Sequence, residues 1–491
     1  MIVAADTRPA MNLPALLAGY VDDVPDVEVL GLCMDSRQLR PGDLFVALRG
    51  HDVDGRSYLS QAAAAGASAA IVDGALTSEA HLPSIVIPDL REKLGFLAAR
   101  FYGEPSRQLH ITGVTGTNGK TTVSQMLSQF IRAAGYDCGV IGTLGATLDT
   151  RPEDAVNTTP DPISLNKLLA AWAGEAVPFV AMEVSSHALV QGRLRGIEID
   201  SAIFTNLTRD HLDYHGDMAA YGTAKAQLFR SPGLRKAAIN VDDPFAATLQ
   251  AQMAPEVQVL RYGRTASKLD VKISVLEQDS SGLRLRLESD WGKATLRCPL
   301  LGTFNALNLA AAVTAGMQAG LPFDSVVATA ESLVAVPGRM EPIRSGAAPL
   351  VVVDYAHTPD ALRQVLRTLR ELCTGRLIAV FGCGGDRDVG KRALMAEAVS
   401  EAADFAVLTN DNPRSEDPQR ILGQIAAAMT GEFEVCEDRA TAIERAIKSA
   451  DKNDCVLVAG KGHEDYQLIG DERLSFSDSD VARRIVARLA A

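Results

Sequence analysis

The sequence predicts an α/β protein with mostly parallel sheets, divided into three domains. With 491 residues the chain exceeds what one hydrophobic core usually serves, and its 47% apolar content can fill several cores. A glycine-rich loop joins an extended run to a helical run within 110–134. Near the C-terminus, short apolar runs alternate with helical ones, which is typical of a parallel sheet. We expect a small N-terminal α/β module (1–100), a central domain (101–336) and a Rossmann-like α/β domain (337–491).

Composition and charge exclude several classes of function. The net charge of -13 argues against nucleic acid as the main partner. The seven cysteines are scattered without a CxxC pair, which indicates reduced thiols in the cytoplasm rather than a disulfide or zinc framework. Neither a signal peptide nor an apolar run of about 18 residues is found. We therefore expect a cytoplasmic protein without a membrane partner, and we also expect a monomer.

The N-terminal module is predicted to be small. Strands are expected at 29–34, 44–48 and 69–72, with a helix at 58–65. Ser36 and the turn around His51 could contact a ligand, although composition alone favours plain loop residues at both places.

The central domain is organised around residues 113–122, Gly-Val-Thr-Gly-Thr-Asn-Gly-Lys-Thr-Thr. Glycines let several backbone N–H groups face one point, and the helix expected at 123–134 and Lys120 add positive charge, so the loop suits a polyphosphate. The hydroxyl of Thr121 can ligate Mg²⁺. The strict P-loop pattern requires glycine where this chain has Val114, but glycines at 113, 116 and 119 preserve the physical arrangement. The alternative is an ordinary turn between strand and helix.

Two further strands of the central domain end in polar groups. The run 179–182 is followed by Glu183, and the run 202–205 leads to His211. In α/β folds ligands bind where strands end, and a carboxylate and an imidazole beside a phosphate loop suit a metal such as Mg²⁺. Taken singly, either residue would be read as a helix cap or a structural histidine; the nearby loop favours the metal.

Three other features of the central domain are less specific. The polar loop at Asn157 could hold an acceptor, and Lys225 lies on a short helix (221–229), where a lysine is usually solvated. Residues 256–300 alternate with period two, which predicts antiparallel strands. Asn305 opens a helix at 306–319, where it could touch a nucleotide base or cap the helix.

The last domain follows the linker 336–339. Its strands are expected at 350–353, 377–381, 405–408 and 455–458, and a polar run follows each.

Three charged residues in those polar runs suggest a pocket. Arg387 and Arg414 could grip carboxylates and Glu464 an ammonium group, which together fit a zwitterion. The alternative is a set of surface salt bridges. The cluster Gly382–Gly385 also resembles a dinucleotide site, as in a dehydrogenase, but Asp-Arg-Asp follows it instead of an apolar helix start.

Taken together, the motifs resemble those of the Mur ligases, the ATP-dependent amino-acid-adding enzymes of peptidoglycan synthesis. The resemblance covers nearly the whole chain. Within the family the chain is most similar to the members that add meso-2,6-diaminopimelate, because Asp-Asn-Pro-Arg at 411–414 resembles their signature and lysine-adding members lack that arginine. The motifs appear in family order: Gly116 to Thr121, Glu183 to His187, Thr205 to His211, Gly302 to Asn305, Arg339, and Asp354 to His357.

The resemblance implies a role for each candidate residue. The central domain would be a P-loop ATPase domain. The N-terminal module would bind the uridine nucleotide of the acceptor, UDP-N-acetylmuramoyl-L-alanyl-D-glutamate. The implied ATP contacts are Gly116, Thr117, Asn118, Gly119, Lys120, Thr121, Thr122, Asn305 and Arg339. The implied acceptor contacts are Met34, Ser36, His51, Asp52, Val53, Asn157, Thr158, Thr159, Ser185, Gln191 and Arg193. The implied diaminopimelate contacts are Arg387, Asp411, Asn412, Pro413, Arg414, Gly460 and Glu464.

The resemblance also implies a mechanism. The acceptor carboxylate attacks the γ-phosphoryl of ATP, and the resulting acyl phosphate meets the amine of diaminopimelate. Mg²⁺ would be held by Thr121, Glu183, His211 and Lys225, the last as N6-carboxylysine. Lys120, Lys225, Glu183 and His211 are the implied catalytic residues.

Three rival functions remain open on sequence. An L-lysine-adding Mur ligase would share the motifs other than Arg414. A folylpolyglutamate synthase shares the phosphate loop and the modified lysine, but it begins near its P-loop, unlike this chain. A nucleotide-switched binding module would not need the amino-acid pocket of the last domain.

Overall fold

The computed structural model describes residues 9–50, 53–75, 82–148, 151–153, 157–346 and 348–489. Two compact units divide the chain: residues up to Tyr262 with Ala266–Lys268 and Ala311–Leu321, and Gly263–Thr265 with Leu269–Ala310 and Pro322–Ala491. Both units are mixed α/β structures with parallel sheets, which confirms the predicted fold class. The division into three domains at 100/101 and 336/337 stays a prediction.

The first unit begins with a small parallel sheet. Its elements are β1 (Met11–Asn12), α1 (Leu13–Leu17), β2 (Glu28–Val29), β3 (Gly31–Cys33), β4 (Asp43–Ala47), α2 (Leu59–Ala64), β5 (Ala69–Val72), β6 (Ser84–Val86) and α3 (Leu90–Phe101). Strands β3 to β6 pair in chain order, all parallel. The single strand expected at 29–34 is split, because β2 pairs with β1 whereas β3 pairs with β4.

The phosphate loop lies in the larger sheet of the first unit. Its elements are β7 (His110–Thr115), α4 (Lys120–Ala133), β8 (Cys138–Gly142), β9 (Gly145–Leu148), β10 (Arg151–Glu153), α5 (Pro162–Gly174), β11 (Phe179–Glu183), α6 (Ser186–Val190), β12 (Ser201–Phe204), α7 (Leu212–His215), α8 (Met218–Ala226), β13 (Lys236–Asn240), α9 (Phe245–Gln250) and β14 (Gln258–Gly263).

In this sheet β7 lies between β11 and β12, and all three strands are parallel. Their carboxyl ends therefore meet at one edge, with the phosphate loop leaving β7 in the middle. From Ile111 to Thr115 the strand is buried, including the polar side chains of Thr112 and Thr115. Helix α4 begins at Lys120, directly after the loop and three residues earlier than expected.

From Val271 onward the elements are β15 (Val271–Asp279), β16 (Gly282–Ser289), β17 (Gly292–Cys298), α10 (Phe304–Gln318), α11 (Phe323–Glu331), β18 (Glu341–Ile343), β19 (Leu350–Asp354), α12 (Pro359–Leu372), β20 (Leu377–Phe381), α13 (Gly390–Ser400), β21 (Phe405–Leu408), α14 (Pro418–Ala426), β22 (Phe433–Val435), α15 (Arg439–Ser449), β23 (Cys455–Ala459), β24 (Tyr466–Ile469), β25 (Glu472–Ser475) and α16 (Asp478–Leu489). Strands β15 to β17 form the antiparallel meander predicted from period two, and Leu283, Leu285 and Leu287 are among its buried positions.

The main sheet of the second unit has the order β18-β19-β23-β20-β21-β22, and every pair except β18 with β19 is parallel. Apolar clusters cover both faces. Strand β23 lies between β19 and β20. The chain therefore crosses the sheet from β19 to β22 and then reverses direction to place β23 in the middle. Such a reversal opens a crevice at the carboxyl ends of the strands, where ligands bind in this class of fold.

All seven cysteines belong to the described residues and none forms a disulfide, which agrees with the sequence analysis. Across those same residues, no helix has the length and apolar character needed to span a membrane.

Candidate active site

The phosphate loop is fixed by the residues that follow β12. The backbone N–H groups of Thr117 and Asn118 donate to the main-chain and side-chain oxygens of Asn206, at 2.8 and 2.9 Å. The hydroxyl of Thr205 donates to the carbonyl of Asn118 at 2.6 Å. A side chain at Gly116, which has φ of +151°, would collide with the Thr205 hydroxyl. The loop is therefore held rigidly against the neighbouring strand end.

Two lysine ammonium groups converge on this loop. The Nζ of Lys120 donates to the carbonyl oxygens of Gly116 and Thr117 at 3.0 and 2.9 Å. The Nζ of Lys225, from α8, donates to the same Gly116 oxygen at 2.7 Å and lies 4.3 Å from the centre of the Tyr221 ring. Lys225 is only 1% exposed, although its place on a helix predicted a solvated side chain. Burial first, and the positive charge of Lys120 second, hold the pKa of Lys225 well below its usual range.

Glu183 ends β11 beside the first turn of α4. One carboxylate oxygen accepts from the backbone N–H of Thr143 at 2.8 Å. The other accepts from the hydroxyls of Thr121 and Thr143, both at 3.0 Å. Thr143 is not predicted from the sequence, since a threonine after a strand carries no specific signal. It fixes the Glu183 carboxylate from two directions.

His211 caps α7 with a left-handed backbone conformation, and its Nε2 lies 3.4 Å from the Asp210 carboxylate. Burial lowers the pKa of His211; the Asp210 carboxylate opposes this shift, and Lys120 and Lys225 add to it. The neighbouring His187 ring is centred 4.9 Å away. A neutral imidazole is the form that ligates a metal.

The donor chemistry around the loop suits Mg²⁺. Among the described residues, no three His, Cys, Asp or Glu side chains come together as a metal cluster. The residues expected here are one hydroxyl, one carboxylate and one imidazole, with Lys225 as the fourth. Mg²⁺ prefers oxygen ligands, so the set fits better if Lys225 carries an anionic oxygen group.

Four of the residues expected to contact the acceptor form a connected network. The hydroxyl of Thr159 donates to the carbonyl of Glu183 at 2.9 Å and accepts from the backbone N–H of Ser185 at 3.2 Å. Arg193 donates to the Thr159 carbonyl at 2.7 Å and to the side-chain oxygen of Gln191 at 2.6 and 2.9 Å. The network thus continues directly from the Glu183 strand end.

The other residues expected to contact the acceptor are less closely connected to this hydrogen-bond network. Thr158 lies 3.4 Å from the Thr143 hydroxyl, and Asn157 is exposed. In the N-terminal sheet, the hydroxyl of Ser36 donates to Gln61 at 3.0 Å, Met34 packs against the core and Val53 is exposed. His51 and Asp52 lie outside the described residues.

In the second unit, the two residues expected at ATP have different surroundings. Asn305 is buried and its side chain donates to the carbonyl of Leu301 at 2.7 Å, at the start of α10. The guanidinium of Arg339 stacks on the Tyr355 ring at 4.7 Å, and its Nε has no hydrogen-bond partner among the described residues. A side chain at Gly338 would collide with Gly462, so this segment packs closely on the loop after β23.

The expected amino-acid pocket gathers the loops that follow β20, β21 and β23. Arg414 after β21 donates to the carbonyl of Gly385 after β20 at 2.8 Å, and Arg387 is exposed beside Gly384. Arg414 has a left-handed backbone conformation, with φ of +53°. The hairpin of β24 and β25 fixes it, since its N–H donates to Leu468 and its carbonyl accepts from Gly470. A costly conformation held from both sides is typical of a functional position.

The other signature residues face inward. Asp411 is buried, and this burial raises the pKa of its carboxyl against the lowering effect of Arg439 and Lys461. Gly460 has φ of +117°, and a side chain there would come within 2.6 Å of the Asp411 carboxylate. Pro413 is buried as well.

Arg439 lies beneath the pocket and is not predicted from the sequence. Its guanidinium is fully buried, pairs with Asp478 at 2.7 Å, and donates to the carbonyls of Asn410 and Ala459. These carbonyls directly precede the two loops of the pocket. An arginine at a helix start gives no signal of such a role, because its partners are distant in sequence.

Comparisons with known proteins agree over nearly the whole chain. The models named "Mur ligase family, catalytic domain", "Mur ligase middle domain" and "Mur ligase, glutamate ligase domain" match residues 28–102, 114–316 and 338–462. A relative from Alkalilimnicola ehrlichii, named UDP-N-acetylmuramoyl-L-alanyl-D-glutamate--2,6-diaminopimelate ligase, is 45% identical over 485 residues, covering 96% of this chain and 97% of its own length.

Solved structures extend the likeness to the fold. The structure of a UDP-N-acetylmuramoyl-L-alanyl-D-glutamate--2,6-diaminopimelate ligase has a TM-score of 0.72 and 36% identity, and the match covers 98% of this chain and all of that one. The MurF ligase from Thermotoga maritima, solved in complex with ADP, has a TM-score of 0.63 at 19% identity and covers 94% of this chain and 96% of that one. At that identity the second likeness concerns the fold alone.

Proposed function

The chain belongs to the Mur ligase family, and on that premise we propose that it joins meso-2,6-diaminopimelate to UDP-N-acetylmuramoyl-L-alanyl-D-glutamate with conversion of ATP to ADP and phosphate. The reaction belongs to peptidoglycan precursor synthesis and takes place in the cytoplasm. Residues 1–100 bind the uridine nucleotide, 101–336 bind ATP and 337–491 bind the amino acid. The observation that carries the choice of amino acid is the pocket in which Arg414, after β21, and Glu464, after β23, lie on either side of β20 at the carboxyl ends of the strands.

The phosphate loop binds the polyphosphate of ATP through its backbone N–H groups and the N-terminus of α4. Lys120 turns from the carbonyls of Gly116 and Thr117 to the phosphate oxygens when the nucleotide is bound. Asn305 and Arg339 contact the rest of the nucleotide. The stacking of Arg339 on Tyr355 and its Nε without a partner among the described residues support this role.

Thr121, Glu183, His211 and the modified Lys225 hold Mg²⁺. When bound, this ion neutralises charge on the transferred phosphoryl group. Thr143 keeps the Glu183 carboxylate in place for it through two hydrogen bonds.

Lys225 is carbamylated, becoming N6-carboxylysine. Two ammonium groups share the Gly116 carbonyl oxygen, which is unfavourable for like charges in a buried place. A neutral amine at Lys225 adds to CO₂, forming an N–C bond and losing one proton, so the side chain becomes an anion. The anion removes the repulsion with Lys120 and supplies a further oxygen ligand beside those of Thr121 and Glu183.

The first chemical step transfers the γ-phosphoryl group. The free carboxylate of the acceptor attacks the γ-phosphorus, the bond to the ADP oxygen breaks, and an acyl phosphate forms. Arg193 and Thr159, with Ser185, Gln191, Asn157 and Thr158, orient the acceptor at the end of β11. The hydrogen bonds that join them to Glu183 support one continuous surface for acceptor and phosphate.

The second step forms the amide bond. The neutral amine of diaminopimelate attacks the acyl carbon, phosphate leaves, and the amine loses a proton. Arg414 and Arg387 grip the carboxylates of diaminopimelate and Glu464 an ammonium group. A distal carboxylate is what L-lysine lacks, so a lysine substrate would leave Arg414 without its partner.

Phosphate release tests this proposal. The purified protein is incubated with ATP and Mg²⁺, with each of the other two substrates alone and with both together. Release that requires both, and that fails when the acceptor is replaced by a folate, supports the diaminopimelate-adding ligase. Release with a folate and glutamate instead would contradict it.

A further inference from the structure

One buried cation of the second unit has no role in the proposed mechanism. Lys461 follows β23 in the run Gly-Lys-Gly-His-Glu, and its side chain is fully buried. Its Nζ donates to the side-chain oxygen of Asn412 at 3.0 Å and to Oε2 of Glu464 at 2.9 Å. The Tyr466 ring is centred 5.4 Å from it.

Asn412 faces this lysine with its whole amide. Its Oδ1 accepts from Lys461 and from the backbone N–H of Leu468, the second at 2.9 Å, and its Nδ2 donates to Oε2 of Glu464 at 2.8 Å. The residue is 3% exposed. Its polar atoms are therefore engaged inside the protein, and Asn412 belongs to the framework of the pocket more than to its surface.

The carboxylate of Glu464 is held by one oxygen. Both Lys461 and Asn412 donate to Oε2. Among the described residues no hydrogen bond to Oε1 is found, and the side chain is 16% exposed. The carboxylate is thus fixed in orientation while one oxygen stays able to accept from a ligand.

The burial of Lys461 needs a reason. A buried ammonium group is costly unless it is paired and hydrogen-bonded, and an apolar residue would stabilise the fold at least as well. Lys461 joins the loops after β21 and β23 and holds the Glu464 carboxylate by one oxygen. A role in shaping the pocket explains this arrangement better than a role in stabilising the core does.

We propose that Lys461 is a positioning residue for the amine-binding carboxylate: it fixes Glu464 and Asn412 so that Oε1 of Glu464 meets an ammonium group of the amino-acid substrate. This inference rests on the proposed function and adds to it a residue that does not itself touch the substrate. The effect of Lys461 should therefore appear in the Michaelis constant for the amino acid and pass through Glu464.

Lys461→Met keeps the length of the side chain and removes its charge. We expect it to raise the KM for diaminopimelate about 30-fold, as for the loss of one partner of a buried ion pair, while the KM values for ATP and for the acceptor change less than about twofold. Lys452→Met, at an exposed lysine, is the matched control and should leave all three constants unchanged. Equal increases in all three KM values, or no change for diaminopimelate, would overturn the inference.

A double-mutant cycle with Glu464→Gln separates positioning from general stability. The double variant Lys461→Met with Glu464→Gln carries no buried charge at the pair, so it is expected to fold even if the single variant does not. In the Glu464→Gln background, Lys461→Met should raise the KM for diaminopimelate less than about threefold. An undiminished effect in that background would overturn the inference. If the wild-type protein itself does not turn over diaminopimelate, the proposed function fails first.

Discussion

The phosphate loop and the amino-acid pocket both lie at the carboxyl ends of parallel strands, yet they balance their charges differently. In the loop, the ammonium groups of Lys120 and Lys225 share one carbonyl oxygen, that of Gly116. In the pocket, Lys461 pairs with Glu464. Beneath it, Arg439 pairs with Asp478.

This difference separates a site completed by its ligands from a site assembled in advance. The loop gathers positive charge that polyphosphate and a carbamylated lysine would neutralise, so changes there should act mainly on catalysis. The pocket already pairs its buried charges, so changes beneath it should act on stability and on the choice of substrate.

The largest effect is expected at Lys225 in the loop. Lys225→Met removes both the ammonium group and the proposed carbamate, and should lower kcat for phosphate release about a thousandfold, as for loss of a main electrostatic group. Lys268→Met, at an exposed lysine, should have no effect.

The modification at Lys225 has its own readout. With ¹³C-labelled bicarbonate, the wild-type protein should give a carbamate signal in the NMR spectrum that Lys225→Met lacks. Full activity of the variant, or identical spectra, would remove the proposed contrast between the two sites.

The next largest effect is expected on the free energy of unfolding, when the buried pair of Arg439 and Asp478 beneath the pocket is broken. Asp478→Ala leaves the Arg439 guanidinium buried without its carboxylate, which should lower the free energy of unfolding by about 3 kcal/mol. Urea denaturation measures this difference. Asp480→Ala, which affects an exposed pair with Arg483, should cost less than about 1 kcal/mol. Equal losses in the two variants would mean that the buried pair does not hold the pocket.

Arg414 tests the surface of the pocket. Arg414→Ala should lower kcat/KM for diaminopimelate about 100-fold by removing a charged partner of its carboxylate, and the KM for the acceptor should stay unchanged. Arg420→Ala, an exposed arginine on α14, serves as the control. An unaltered KM for diaminopimelate in Arg414→Ala would show that this residue does not select the substrate.

The smallest effect is expected at the exposed ion pair of Asp279 and Arg297. It gives the stability change of an ordinary surface pair, with which the changes at both sites can be compared. The Ser281 hydroxyl and then the Arg297 guanidinium lower the pKa of Asp279 to about 2. A lowered folded-state pKa stabilises the fold above the unfolded value of about 3.9, and the contribution is lost as the pH falls toward about 2. Because the carboxylate is 42% exposed, Asp279→Asn should cost less than about 1 kcal/mol at pH 7. Unfolding curves at pH 7 and pH 3 should show the difference shrinking; a difference that grows would reverse the sign.

Local patterns in the sequence were enough to predict the strands that lead to the candidate site, the glycine-rich loop and the polar groups that follow those strands. Burial of single side chains was not predictable in this way. Lys225 reaches Gly116 across 109 positions of sequence, and nothing in its helix indicates that contact. The sequence predicts a substrate contact for Asn412, which stays a prediction, but it gives no sign of the hydrogen bonds that join its amide to Lys461, Glu464 and Leu468. Such contacts depend on which strand ends become neighbours, and β23 reaches its place between β19 and β20 only late in the chain.

The central claim is that one chain couples a phosphate loop to a pocket for diaminopimelate. The most direct measurement is phosphate release from ATP in the presence of UDP-N-acetylmuramoyl-L-alanyl-D-glutamate, with meso-diaminopimelate and L-lysine compared side by side. We predict turnover with diaminopimelate and little with lysine. Equal or faster turnover with lysine would contradict the role of Arg414, and no turnover with either would contradict the proposed function.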